Sequence, residues 1–376
     1  MTSHHPATAR VLDAIQSWDP LHGPTRWSDD DFGALALALF DAQLEGEGAY
    51  TRFCHARGVS AASALSSWRD IPAAPTDAFK QVDLSVAGAG ASVRTFRTSG
   101  TTAGLRGAHH FATLDVYSAS LAGPFRRWVH RSDGRVRIVA LAPSPRDLPD
   151  SSLSYMLGEL IDRFGTPDSV FCVTSSGSGL TLDATLAHRA FDDAVASGEP
   201  VCVLGTAFGF VEVLDATSNR WELPAGSCVM ETGGFKGRTR EITRGELYAS
   251  FTDRLGVPAA RCVSEYSMTE LSSQSYTDNL ERSDLGSPWS PGVLRTPPWA
   301  RIEVVDPVRL EVLEGEGARG LIRWYDLANV GSVIAVQTSD VGVRVAGGGI
   351  RLEGRAPDSE LRGCSLTIEE IVDATR

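Results

Sequence analysis

Apolar positions along the chain fall into three regimes. Over the first 92 residues they recur at helical spacing: Phe32, Leu35, Ala36, Leu39 and Phe40 follow Ser28 and Asp31, which fit a capping box. Further short helices are expected at 61–68 and 76–81. From about Val93 the pattern becomes strand, loop, helix, repeated. Short apolar runs at 136–141, 169–173, 201–204 and 228–231 alternate with helical stretches at 152–164, 182–196 and 243–255, the last opening on a second capping box, Thr243 and Glu246. Such alternation implies a largely parallel sheet covered on both faces. After Trp289, runs at 300–305, 321–324, 333–337 and 342–345 are separated by Gly, Pro and Asp turns, the mark of a small β-rich subdomain. The expected organisation is therefore a helical region (1–92), an α/β core (93–290), a β-rich subdomain (291–353) and a short tail (354–376).

Composition narrows the function classes. The net charge of −12 argues against a nucleic-acid partner, which needs concentrated Lys and Arg. No apolar run approaches the roughly 20 residues that span a bilayer, and the stretch from Met1 to Arg10 has no apolar signal core, so a cytoplasmic protein with no membrane partner is expected. The six cysteines form no CxxC pair and no zinc-spaced cluster with histidine, so reduced thiols and no structural metal are expected. The chain holds two lysines, Lys80 and Lys236.

Candidate chemistry begins at Arg97-Thr98-Ser99-Gly100-Thr101-Thr102-Ala103-Gly104-Leu105-Arg106-Gly107, between an expected strand and a helix from Thr113. Glycines let backbone approach an anion closely, and hydroxyls and amides can surround phosphate oxygens. The order is not that of a Walker loop; the bland alternative is a flexible surface loop. Ser264-Glu265-Tyr266-Ser267-Met268-Thr269-Glu270 holds a carboxylate suited to a hard cation, or is simply a helix start with an acidic residue. Glu231-Thr232-Gly233-Gly234-Phe235-Lys236-Gly237 follows a strand, where open α/β sheets keep ligand loops, although Lys236 also fits a plain surface position. Thr338-Ser339-Asp340 and Gly354-Arg355-Ala356-Pro357-Asp358 complete the set.

These segments, in this order, resemble the motifs of the adenylate-forming superfamily of acyl and aryl synthetases. The resemblance implies an α/β fold like the N-terminal domain of those enzymes, with ATP and Mg²⁺ as cofactors. It implies that Thr98, Ser99, Gly100, Thr101, Thr102 and Gly104 cradle phosphates, with Arg106 where the family usually has lysine. Gly233, Gly234 and Tyr266 would meet adenine, Thr269 the α-phosphate, Glu270 the metal and Asp340 the ribose, with Arg355 at the hinge. Typical members carry a further domain after the hinge, with a lysine that assists adenylation; the expectation here is that this domain is nearly absent.

Phe79-Lys80, Thr232-Gly233-Gly234-Phe235-Lys236-Gly237 and Arg362-Gly363-Cys364-Ser365-Leu366 resemble the LuxE-type acyl-protein synthetases. That resemblance implies activation of a fatty acid as acyl-AMP, transfer to a cysteine near the C-terminus, matched by Cys364, and delivery to an acyl-accepting partner protein such as a reductase. Arg355 and Arg362 lie close in sequence, and positive charge is expected to lower the Cys364 thiol pKa. His109 or His110 is a candidate to meet the acid or the α-phosphate, and 201–210, a strand with a small-residue loop, either lines the acyl pocket or is core. Two other functions fit the motifs. One is an aryl- or amino-acid ligase delivering to a carrier-protein phosphopantetheine or coenzyme A, with Cys364 dispensable. The other is a non-catalytic nucleotide-binding subunit.

Overall fold

Several helices begin where a short polar side chain can satisfy one of the free amides of the first turn. Ser28, Ser151, Asp183, Thr206 and Thr243 each accept a backbone N–H at a helix head. A computed structural model describes residues 4–99, 105–176, 179–233, 242–286, 292–357 and 362–375. In chain order its elements are α1 (Pro6–Gln16), α2 (Asp29–Leu44), α3 (Ala49–Ala56), β1 (Ala74–Pro75), β2 (Arg94–Arg97), β3 (Ala108–Phe111), α4 (Asp115–Trp128), β4 (Arg137–Pro143), α5 (Ser152–Phe164), β5 (Val170–Ser176), β6 (Gly179–Leu182), α6 (Ala184–Ser197), β7 (Val201–Thr206) and α7 (Ala207–Asp215). They continue with β8 (Cys228–Thr232), α8 (Arg244–Leu255), β9 (Cys262–Tyr266), β10 (Ser275–Thr277), α9 (Asn279–Asp284), β11 (Leu294–Arg295), β12 (Ala300–Val305), β13 (Arg319–Asp326), β14 (Ala335–Val345), β15 (Gly349–Arg355) and α10 (Arg362–Asp373).

The chain forms two compact units. The first comprises residues 1–123, 267–274 and 294–376. Its sheet runs β12-β13-β14-β15-β11, antiparallel throughout, with β1 parallel on β14. A separate hairpin pairs β2 with β3. The second unit comprises 124–266 and 275–293. There β9-β8-β7-β4-β5 are parallel neighbours, with β10 and β6 antiparallel at the ends. Its core packs Val139, Val203 and Val229 of the sheet against Phe191, Phe210 and Phe251 of α6, α7 and α8. Among the described residues no helix is long and apolar enough to cross a membrane.

Three local expectations change. Residues 61–68 form no α-helix but two 3-10 turns, Ala62–Ala64 and Trp68–Asp70, because Ser67 and Asp70 cap each other and start a new turn. The expected break at 338–341 is absent: Thr338 Oγ1 donates to Ile322 O and receives Asp340 N–H, so β14 runs unbroken. After β7 comes α7 rather than a loop, capped by Thr206, and Ala207 and Phe210 belong to the core.

Candidate active site

In the first unit the hairpin closes the stem of the Ser/Thr/Gly loop. Beyond the last β2–β3 pair, Arg97 opposite Ala108, Thr98 N–H donates to Gly107 O at 3.0 Å, and Gly107 N–H donates to Thr98 Oγ1 at 2.9 Å. A Cβ on Gly107 would stand 3.0 Å from Thr98 Cγ2 and 3.4 Å from Lys80 Cγ, so glycine lets the Lys80 stem lie against the loop's exit. Arg106, exposed, donates from Nε to Thr98 O at 2.7 Å and from Nη2 to Arg97 O at 3.3 Å. Ser99 is exposed beside it. Gly100, Thr101, Thr102 and Gly104 lie outside the described residues, as do Gly234, Lys236 and Asp358.

The turn that follows β9 carries Thr269 and Glu270, and three residues hold it. His109 Nδ1 lies 2.8 Å from Thr269 O, and its Nε2 lies 3.0 Å from Ser332 Oγ. A carbonyl only accepts, so Nδ1 bears the proton. Burial pushes this imidazole down to about 4, so the ring is neutral and Nε2 accepts from the Ser332 hydroxyl. Asn329 Nδ2 donates to Glu270 O at 3.0 Å. Asp326, fully buried, accepts from Ser272 N–H, Ser273 N–H, Ser273 Oγ and Ala328 N–H at 2.9, 2.8, 2.6 and 3.0 Å. The Glu270 residue so held is 6% exposed. Burial dominates and pushes its carboxyl up to about 7; a backbone hydrogen bond, Lys80 and Arg355 pull down, and Asp77 pushes up.

His109 is therefore committed to the turn and is not free to meet a ligand, while His110 Nδ1 lies 2.9 Å from Thr95 Oγ1. Asp326, Asn329 and Ser332 were not among the candidates; the run Asp326-Leu327-Ala328-Asn329 after a strand was the available signal.

Asp340 stands opposite Arg355 across β14 and β15, and Arg355 Nε donates to Asp340 Oδ1 at 3.1 Å. The expectation for the thiol is corrected. Cys364 is 7% exposed, packed with Val305, Leu321, Val341 and Ala356. Burial pushes its thiol up to about 11; Arg323 pulls down by less, and Asp77 pushes up. Arg355, one of the two cations expected from sequence proximity, is instead paired with Asp340, and the side chain of the other, Arg362, lies outside the described residues.

In the second unit, β8 and β9 end side by side with Thr232 opposite Glu265, and Thr232 Oγ1 donates to Glu265 Oε2. Burial pushes Glu265 up to about 7, with Glu231 adding and Thr232 opposing. On the other face of β8, Glu231 is buried beside Tyr248 OH at 3.4 Å and Arg244 Nε at 3.2 Å. Gly233 follows with a positive φ of 71°, and Tyr266 ends β9, buried. Strand ends of this kind are where parallel sheets present ligand loops.

Glu270, a buried carboxyl acted on by the charges of Lys80 and Arg355, is the residue that would offer oxygen to a magnesium ion. Magnesium is usually held by one or two carboxylates plus substrate phosphates rather than by an all-protein cage. Among the described residues no group of three or more His, Cys, Asp and Glu could hold a metal alone.

The profile of the family described as acyl-protein synthetase, LuxE, matches residues 5–372. No curated protein matches the sequence. Among solved structures, a 2-hydroxyisobutyryl-CoA ligase in the postadenylation state with 2-HIB-AMP is 14% identical, with a TM-score of 0.63 over 90% of this chain and 72% of that one. The same ligase in an open conformation with 2-HIB-AMP and CoA gives 14%, 0.62, 91% and 75%. ATP-bound MatB from Rhodopseudomonas palustris is 14% identical, with a TM-score of 0.49 over 71% of this chain and 49% of its own. This chain thus spans about half of MatB's length.

Proposed function

The chain belongs to the acyl-protein synthetase (LuxE) family, and on that premise we propose that it joins a carboxylic acid of the fatty-acid class to ATP, giving acyl-AMP and pyrophosphate. The acyl group then passes to a thiol and on to an acyl-accepting protein. The observation that carries the reading is Glu270: a buried carboxyl in a turn held from three sides, with Lys80 and Arg355 as the nearby cations.

Acid and ATP repel each other, so the enzyme has to neutralise charge and align the attack. The Thr98–Gly107 stem presents the phosphate-binding loop, and Arg106 stands at its exit. Thr269 offers a hydroxyl to the α-phosphate, and Asp340 carboxylate oxygens to the ribose hydroxyls. Glu270 would hold magnesium, whose positive charge would offset that of the phosphates. Glu270→Gln is expected to lower acid-dependent pyrophosphate release by about 100-fold or more. Release at the wild-type rate would remove Glu270 from the reaction.

For the second step Cys364 is the proposed nucleophile. With its thiol at about 11, only roughly one molecule in 10,000 carries thiolate at pH 7, so α10 has to expose the sulfur before it reacts. That burial favours a second reading, in which an added thiol such as phosphopantetheine takes the acyl group and Cys364 only packs. Intact mass before and after hydroxylamine separates them: a labile acyl adduct lost in Cys364→Ser supports the first, and none with turnover supports the second.

A further inference from the structure

We propose that Lys80 is the cation that meets the α-phosphate as the acid attacks it, an assignment that rests on the adenylating function proposed above. Three observations place it. The 3-10 turn Thr76–Lys80 packs against β3, β14 and α10. The Lys80 stem lies against Gly107 at the exit of the phosphate loop, 3.4 Å from where a Cβ would be. The charges of Lys80 and Asp77 both act on the Glu270 carboxyl, and that of Asp77 acts on the Cys364 thiol as well.

The neighbouring cations are committed elsewhere. Arg355 donates to Asp340, and Arg106 to the carbonyls of Arg97 and Thr98. Lys80 Nζ pairs with Asp77 Oδ1 at 2.6 Å, and the two side chains are 45% and 53% exposed. An exposed pair of this kind contributes little, so an arriving phosphate can displace it readily. A four-carbon stem with a compact ammonium can then follow the charge, which a guanidinium fixed to carbonyls cannot do as well. Lys80 is the single lysine among the described residues.

In the step itself a carboxylate oxygen bonds to the α-phosphorus while the bond from that phosphorus to the bridging oxygen breaks. Pyrophosphate leaves with the electron pair. No proton is transferred, and Lys80 keeps its own while donating hydrogen bonds to the phosphoryl oxygens.

The test is acid-dependent exchange of labelled pyrophosphate into ATP by the full chain and its Lys80→Ala, Lys80→Met and Lys80→Arg variants, with binding of a fluorescent ATP analogue measured alongside. Lys80→Met should lose about 100-fold in exchange kcat, the cost of removing one charge-stabilising donor, with analogue binding and apparent KM for ATP within about threefold. Lys80→Arg should recover part of the loss, and added ethylammonium should raise the Lys80→Ala rate at least tenfold. A merely structural role would not respond to the amine. Exchange by Lys80→Met within about threefold of wild type would overturn the assignment of Lys80 alone, as would a Lys80→Ala rate unmoved by the amine. A wild-type chain silent with every acid would overturn the adenylating function and this inference together.

Discussion

Glu265 and Glu270 are both pushed up to about 7 by burial, so each weakens the folded state when it ionises. A carboxyl with a raised folded pKa contributes stability fully below its unfolded value, near 4.3, and loses it as pH rises to about 7. Glu265→Gln keeps an acceptor for Thr232 and removes that loss. In urea unfolding its advantage over wild type should grow from near zero at pH 4.5 to on the order of 3 kcal/mol at pH 8. A difference that stays flat with pH would show that Glu265 is not buried as described. His109 works in the opposite sense: its folded pKa is pushed down to about 4, so its contribution is complete above about 6.5 and lost as pH falls. The two slopes oppose each other between about pH 4.5 and 6.5, so the variant-minus-wild-type difference is the quantity to measure.

At the scale of elements, the turn after β9 is held by residues distant in sequence. Asp326 lies 53 residues from Ser273, and His109 lies 160 from Thr269 and 223 from Ser332. Asp326→Asn puts an amide N–H₂ among backbone N–H donors, and one lost buried acceptor of this kind costs about 1–3 kcal/mol. It should lower the melting temperature and cut the exchange kcat by about tenfold, through displacement of Glu270. Exchange at the wild-type rate in a destabilised variant would show that the clamp supports folding alone. What was legible in the sequence was local. The helix at 152–164 and the capping box of Thr243 and Glu246 are set by neighbours three or four residues away, and both are present. The clamp was not legible, because its partners meet only through tertiary folding. The Cys364 environment failed for the same reason: nearby arginines in sequence say nothing of Val305, Leu321 and Val341, which surround the sulfur.

At the scale of the whole molecule, family membership covers residues 5–372 and the fold is that of adenylate-forming ligases. In the proposed acyl transfer to Cys364 the sulfur has to leave its buried place. Near the end of α10, Glu370 pairs with Arg57, the residue after α3, and Ala374 O just beyond it accepts from Arg52 of α3, while Cys364 sits at the buried beginning of α10. The first step needs no such movement of the thiol. The most direct test of the account is therefore exchange of labelled pyrophosphate into ATP as a function of added acid, from short to long chain and aromatic. Exchange that depends on a carboxylic acid, strongest with a fatty acid, is predicted. Exchange absent with every acid, in a chain that is folded by melting curve, would contradict it.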